Sequence, residues 1–200
     1  MGQRLVITVQ DCGEEICKIY YHWSAYSRSA LMETRDVLNV LFDEENDIKD
    51  LRLRMIRFCE CNGGGIDGGK DSDEWKYIQK VYPHEAFKSN CIDRNYGLIA
   101  ISEKGMNNIQ CWSEGDIIIR LDDDEIINFV NCVYHNIDDY NKNKKEWYDD
   151  WTDILLEDIP ELKCNLCDFR YEDIDYLIEA LGSAPNFVIR YGNEIYELIA

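Results

Sequence analysis

Two short spacings of soft ligands are the first places in this chain where chemistry could sit. Cys132-x-x-His135 and Cys164-x-x-Cys167 would together supply a tetrahedral zinc set. Cys59-x-Cys61 offers a third pair, but a one-residue spacing is not the usual zinc spacing. Cys132 and His135 also fall in a stretch with helical periodicity, where Cys132 shares a core-facing side with Phe129. Buried thiols account for these residues more simply, and no metal is expected.

Nucleophilic catalysis would need a cysteine or serine beside a histidine base. Only His22, His84 and His135 are available, none in a nucleophile motif, so no catalytic residue and no cofactor is assigned. His22 lies in YYHWSAYS, residues 20–27, where Tyr20, His22, Trp23 and Tyr26 form a candidate pocket for stacking and hydrogen-bonding a nucleotide-like small molecule. The same stretch also reads as a strand-to-helix junction, with Tyr21 and Trp23 in the core and Ser27 helping to start the helix.

The glycine-rich NGGGIDGGK at 62–70 invites a phosphate-loop reading, because glycine lets backbone amides approach an anion. Lys70 is followed by Asp71, and neither G-x-x-x-x-G-K-[ST] nor G-x-G-x-x-G is met. A flexible connector between two helices is the expectation. Carboxylates are too abundant to single out an acid or base by themselves. Asp122 to Asp124 offer the oxygen ligands of a magnesium site, yet helix capping explains those residues with less.

The charge is more informative. Of 200 residues, 40 are acidic and 21 basic, a net of -19. Residues 1–100 carry 17 acids and 13 bases, whereas residues 101–200 carry 23 acids and 8 bases. Such a field repels nucleic acid and anionic membranes and steers the chain towards basic surfaces. In KEWYDDWTDILLEDIPE, Trp147, Tyr148 and Trp151 alternate with carboxylates, a pattern that suits docking to a basic partner or an amphipathic helix with its rings in the core.

These side chains must be positioned by a folded chain: 46% hydrophobic content with three prolines is too apolar for disorder. The odd cysteine count, with no export signal or membrane-length apolar run, predicts free thiols in a cytoplasmic protein. RLVITVQ and EICKIYYHW around DCGE predict an N-terminal hairpin, and NFVIRYGNEIYELI a C-terminal one. Helices are predicted from Ser29 to Phe42, over LRLRMIRFCE, DSDEWKYIQKVYP, 102–112, EIINFVNCVYHNI, 140–162 and FRYEDIDYLIEALG. Strands GLIAIS and DIIIRL form a central pair, the second expected to be buried on both faces. The fold class is α+β, two hairpins and this pair packed with about six helices, in a single domain over 1–200 whose acidic half spans about 114–179.

GQRLVITV, GEEICKIYYHWSAYSRSAL, IRFCECNGGGIDGG and GLIAISEKGM resemble uncharacterised proteins encoded by phages and prophages of Firmicutes. The resemblance implies an accessory protein in the cytoplasm of an infected or lysogenic bacterium. It further implies an anti-defence role of the anti-CRISPR type, in which carboxylates stand where a target expects phosphates.

The leading expectation is a non-enzymatic DNA mimic that binds a basic, nucleic-acid-binding host protein such as a CRISPR effector or restriction enzyme. Its partner-binding set is Asp122, Asp123, Asp124, Glu125, Asp138, Asp139, Asp149, Asp150 and Asp153. Direct nucleic-acid or membrane binding is not expected. The alternatives are a small-molecule protein or enzyme using the Tyr20, His22, Trp23 and Tyr26 cluster, and a phage assembly component.

Overall fold

The computed structural model describes residues 3–87, 95–123, 125–147, 151–155, 158 and 168–199, with only the backbone course described for 131–135, 145–147, 198 and 199. The architecture is α+β. Its first hairpin joins β1 (Leu5–Asp11) to β2 (Glu14–Tyr21), with Asp11 opposite Glu14. The two-residue turn has φ of 49° at Cys12 and 76° at Gly13, the mirror-image geometry that matches strand twist.

Chain reversal then gives way to period-3.6 burial. In α1 (Ser27–Leu41), Ala30, Leu31, Thr34, Val37, Leu38 and Leu41 form the buried face. Neither Ser27 nor Ser29 caps the helix. Tyr26 occupies the cap position, and the Ser27 amide donates to Asn186 Oδ1 at 3.0 Å. The cap therefore comes from 159 residues away.

Helix α2 (Leu51–Cys61) follows, capped by Asp50, which accepts from the Leu53 amide at 3.0 Å. Arg54 on α2 is buried and turns back on α1, donating to the carbonyls of Leu41 at 2.9 Å and Val40 at 3.2 Å, and to Ile48 O at 2.8 Å. It satisfies carbonyls that a helix end leaves open and places positive charge at the negative dipole end.

The glycine-rich segment is not a loose connector. Gly65–Ile66 is strand β3, hydrogen-bonded in parallel to β4 (Leu98–Ala100), and Gly64 to Asp67 are buried. A Cβ on Gly64 would lie 2.0 Å from the Gly97 carbonyl oxygen, so glycine permits the backbone contact that the connector reading overlooked. Beyond β3, α3 (Asp73–Val81) is capped by Ser72 and α4 (Glu103–Gln110) by Ser102. Glu74 on α3 is buried and accepts from the amides of Ile101 at 2.7 Å and Ser102 at 3.0 Å, and from the Ser102 hydroxyl.

Strand β5 (Gly115–Arg120) pairs in parallel with β1, so Ile119 lies opposite Val9. Only one face is buried in full: Ile117 and Ile119 are inside, while Asp116, Ile118 and Arg120 stand on a partly open face. The run of isoleucines concealed a period of two. The predicted helix from Glu125 is also corrected, because the chain continues as β6 (Ile126–Phe129) and β7 (Asn131–Asn136). Ile127 and Phe129 enter the core while Ile126 and Asn128 alternate with them, a pattern that fits β-branched and aromatic residues better than a helix does.

Helix α5 (Ile137–Trp147) is shorter than the expected 140–162 segment, and β8 (Trp151–Leu155) follows as a strand. The chain ends with β9 (Asp168–Arg170), α6 (Tyr171–Leu181), β10 (Asn186–Tyr191) and β11 (Glu194–Ile199). Seven strands form one sheet in the order β3-β4-β2-β1-β5-β6-β9, and four form another, β7-β11-β10-β8. The main core gathers β1, β2, β5, α1, α2 and α6, and Ile154, Phe187 and Ile189 of the second sheet join it. A smaller core under α4 holds Val6, Tyr20, Leu98, Ala100, Met106 and Ile109.

Candidate functional site

The strand period divides YYHW unequally. Tyr21 enters the main core, while Tyr20 faces the opposite way and meets Trp112 edge-on at 5.4 Å. Tyr20 is 2% exposed, so it is an anchor under α4 and not the open pocket wall expected from its neighbours. Its hydroxyl and His22 Nδ1 are hydrogen-bonded at 2.7 Å. Beyond the end of β2 the alternation stops governing burial: Trp23, expected in the core, is 50% exposed and packs edge-on against His22 at 4.9 Å. With Tyr26 also exposed, the outward part of the cluster is His22, Trp23 and Tyr26.

One residue on, the Ser24 hydroxyl donates to Glu33 Oε1 at 3.2 Å. Burial on α1 pushes the Glu33 carboxyl up to about 7; Asp36 adds to the shift, while the Ser24 bond works against it. This titratable group was not singled out from the sequence, where it is one glutamate among many.

Strand direction creates a different site at one end of the large sheet. β1 and β5 run parallel and finish side by side, with Leu121 N donating to Gln10 O at 3.0 Å. The turn carrying Asp11 and Glu14 therefore adjoins the loop carrying Asp122 and Asp123. The α1–α2 loop, with Asp43, Glu44, Glu45 and Asp47, arrives at the same end: Asp43 and Glu44 line a cavity of about 420 Å³ together with Glu125, Tyr171 and the cations Lys49 and Arg54. The Tyr171 hydroxyl donates to Asn39 Oδ1 at 2.9 Å, tying the start of α6 to α1.

Most of these carboxylates are exposed, and cations at this end have internal partners. Arg52 is bonded to Glu14, Lys49 donates to Asn46 O at 2.8 Å, and Arg54 is engaged by carbonyls. Arg120 pairs with Asp168 at 3.1 Å and lies 3.8 Å from Asp123. The end projects carboxylate charge from three loops far apart in sequence.

The expected partner-binding set is dispersed around this feature. Asp122, Asp123 and Glu125 belong to the acidic end, on a strand-to-strand loop instead of a helix N-terminus; Glu125 has φ of 60° there. Asp138 and Asp139 begin α5, beside the second sheet. Asp153 accepts from the Tyr140 hydroxyl at 2.5 Å and Lys144 Nζ at 2.8 Å, with Arg190 at 3.6 Å. Burial alone would raise its carboxyl, but these donors prevail and hold it below the usual range. Asp153 is thus an internal hub. Asp124, Asp149 and Asp150 lie outside the described residues.

Among the described residues, no three His, Cys, Asp or Glu side chains are grouped to hold a metal. Cys132 and His135 lie on strand β7, and Cys164 and Cys167 lie outside the described residues. Cys59 is buried while Cys61 is exposed. Burial raises the thiols of both Cys17, to about 12, and Cys59. No helix among the described residues is long and apolar enough to cross a membrane. Comparison with known proteins finds no matching family model, no matching curated protein and no matching solved structure.

Proposed function

We propose that this chain is a non-enzymatic phage or prophage accessory protein whose acidic end occupies a basic, nucleic-acid-binding surface of a host defence protein. The reading rests on the convergence of three carboxylate-bearing loops at one end of the seven-stranded sheet, where nearby cations have internal partners. A target that ordinarily neutralises phosphates would meet carboxylates there, and its arginines and lysines would pair with them. The resemblance to phage and prophage proteins supplies the setting, and the net charge of -19 supplies long-range steering.

The test is affinity capture from a bacterial lysate at low and high salt, followed by competition between this protein and labelled DNA for the captured partner. The surface set to reverse is Asp43, Glu44, Asp122 and Asp123, each to lysine. A retained nucleic-acid-binding protein that is displaced by salt, loses DNA on adding the wild type and ignores the reversed variant is the expected result. Capture and competition unchanged by the reversal would overturn the proposal, as would the absence of any nucleic-acid-binding protein from the captured fraction.

A further inference from the structure

Strands β3 and β4 point towards the same end of the sheet as β1, since β4 is antiparallel to β2 and β2 to β1. Beyond their carboxyl ends, α3 and α4 separate around a cleft of about 890 Å³. That volume is in the range of small-molecule sites, roughly 300–1,000 Å³, and crevices beyond strand carboxyl ends are a common place for them.

Several polar groups at the cleft are consumed by the fold. Glu74 holds the β4–α4 junction, Ser72 and Ser102 cap helices, and Lys104 is paired with Asp73. Asp67 is different. It follows directly from the buried glycine strand and is 7% exposed. Its Oδ2 accepts from Asn108 Nδ2 at 3.1 Å, while Oδ1 has no donor among the described residues and stays accessible at the cleft. A mostly buried carboxylate that keeps one oxygen open to a cleft is placed to accept from a ligand there. Asn107 and Asn108 add amides to the same wall, and the Tyr77 ring, 42% exposed, offers a flat apolar face.

We propose that this cleft binds a neutral ring compound bearing vicinal hydroxyls, either the ribose of a nucleoside or a saccharide unit. Asp67 accepts from the hydroxyl pair, Asn108 bridges Asp67 to the ligand, and Tyr77 stacks against the ring. A carboxylate receiving adjacent hydroxyls is a recurrent way of holding ribose. Asp67, Asp73, Glu74 and Glu103 on the walls disfavour a phosphate, so the unphosphorylated compound binds better than its ester. This site is independent of the acidic loops and of any protein partner.

The probes are adenosine, guanosine, cytidine, uridine, their 2′-deoxy and 5′-phosphate forms, glucose, N-acetylglucosamine and spermidine, each titrated into the full chain by calorimetry and thermal shift. The expected result is binding of at least one ribonucleoside or saccharide that raises the melting temperature. Asp67→Asn, which keeps the shape and the bond to Asn108, should weaken that ligand by at least about tenfold, the effect of losing a hydrogen bond to a charged acceptor. Tyr77→Ala, an exposed change, should weaken it while leaving the fold intact.

Cys111 lines the cleft as an exposed thiol, so the ligand should also slow its alkylation as read by peptide mass spectrometry. Arms lacking the hydroxyl pair identify ribose as the determinant if they fail, whereas sugar binding without nucleoside binding assigns a saccharide. Binding of spermidine alone, preference for the 5′-phosphates, no binding by any ribonucleoside or sugar, or affinity unchanged in both variants would overturn the proposal.

Discussion

Replacing Glu33 with glutamine should stabilise the protein at pH 8 by about 2 kcal/mol and leave it nearly unchanged at pH 4. The carboxyl moves from 4.5 to about 7 in the folded chain because burial disfavours its charge, and Asp36 reinforces the effect. At 1.36 kcal/mol per pKa unit this corresponds to about 3 kcal/mol of folded-state destabilisation once the group ionises. Glu33 is only half-buried, so solvent screening lowers the expected figure to about 2 kcal/mol.

The sign is fixed by the direction of the shift. Below about 4.5 both folded and unfolded chains hold the proton. As pH rises through about 7, the unfolded chain has already released it and the folded chain must carry an unfavourable charge. Urea unfolding at pH 4, 6, 7 and 8 for wild type and Glu33→Gln would measure the difference directly. Other shifted carboxyls act elsewhere on the scale: Arg4 holds Glu114 down to about 2, and its contribution is lost on the acid side. Two stability curves that stay parallel from pH 4 to 8 would refute the assignment of Glu33 as an up-shifted carboxyl.

Gly105→Ala should cost about 2–3 kcal/mol, measured by urea unfolding, because its Cβ would lie 2.1 Å from Glu74 Oε2, on a carboxylate fixed by the Ser102 hydroxyl at Oε2 and by two backbone amides at Oε1. Arg54→Met should cost about 3 kcal/mol in the same assay, one for each of the carbonyl bonds to Val40, Leu41 and Ile48. A native-state thiol titration resolved by peptide should label Cys12, Cys61 and Cys111 and spare Cys17 and Cys59, whose burial keeps them as thiols.

Local signals were legible where one short segment decided the outcome. The Cys12–Gly13 turn, the Ser72 and Ser102 caps and the buried row of α1 all follow from neighbours within a few residues. Segments whose state depends on distant pairing were misread. Ile126 to Asn136 supports a helical stripe on paper, but pairing Ile127 with both Ile119 and Phe169 makes it a strand. The glycines at 63–65 looked like flexibility because the carbonyl that Gly64 must clear belongs to Gly97, more than thirty residues on. Trp23 was misplaced for the opposite reason: β2 stops at Tyr21, and an alternating pattern has no authority beyond the strand that creates it.

The charge shows most clearly why position along the chain is a poor guide to position in space. By count, residues 1–100 are nearly balanced, with 17 acids against 13 bases, and the excess seems to belong to the second half. Folding leaves that balance intact but redistributes it in space. Arg54 donates hydrogen bonds to carbonyls, Arg57 pairs with Glu60 at 2.9 Å and Glu85 at 2.8 Å, Arg52 is tied to Glu14, and Arg4 pairs with Glu114 at 2.7 Å. Meanwhile Asp43, Glu44, Glu45 and Asp47 remain exposed on the loop that meets Glu125 across the small cavity. An ion pair takes up an acid with each base, so the sign of this end comes from placement: Asp43, Glu44, Glu45 and Asp47 stand together on one exposed loop while the arginines are engaged elsewhere. The parallel course of β1 and β5 then brings that loop beside acids contributed a hundred residues later.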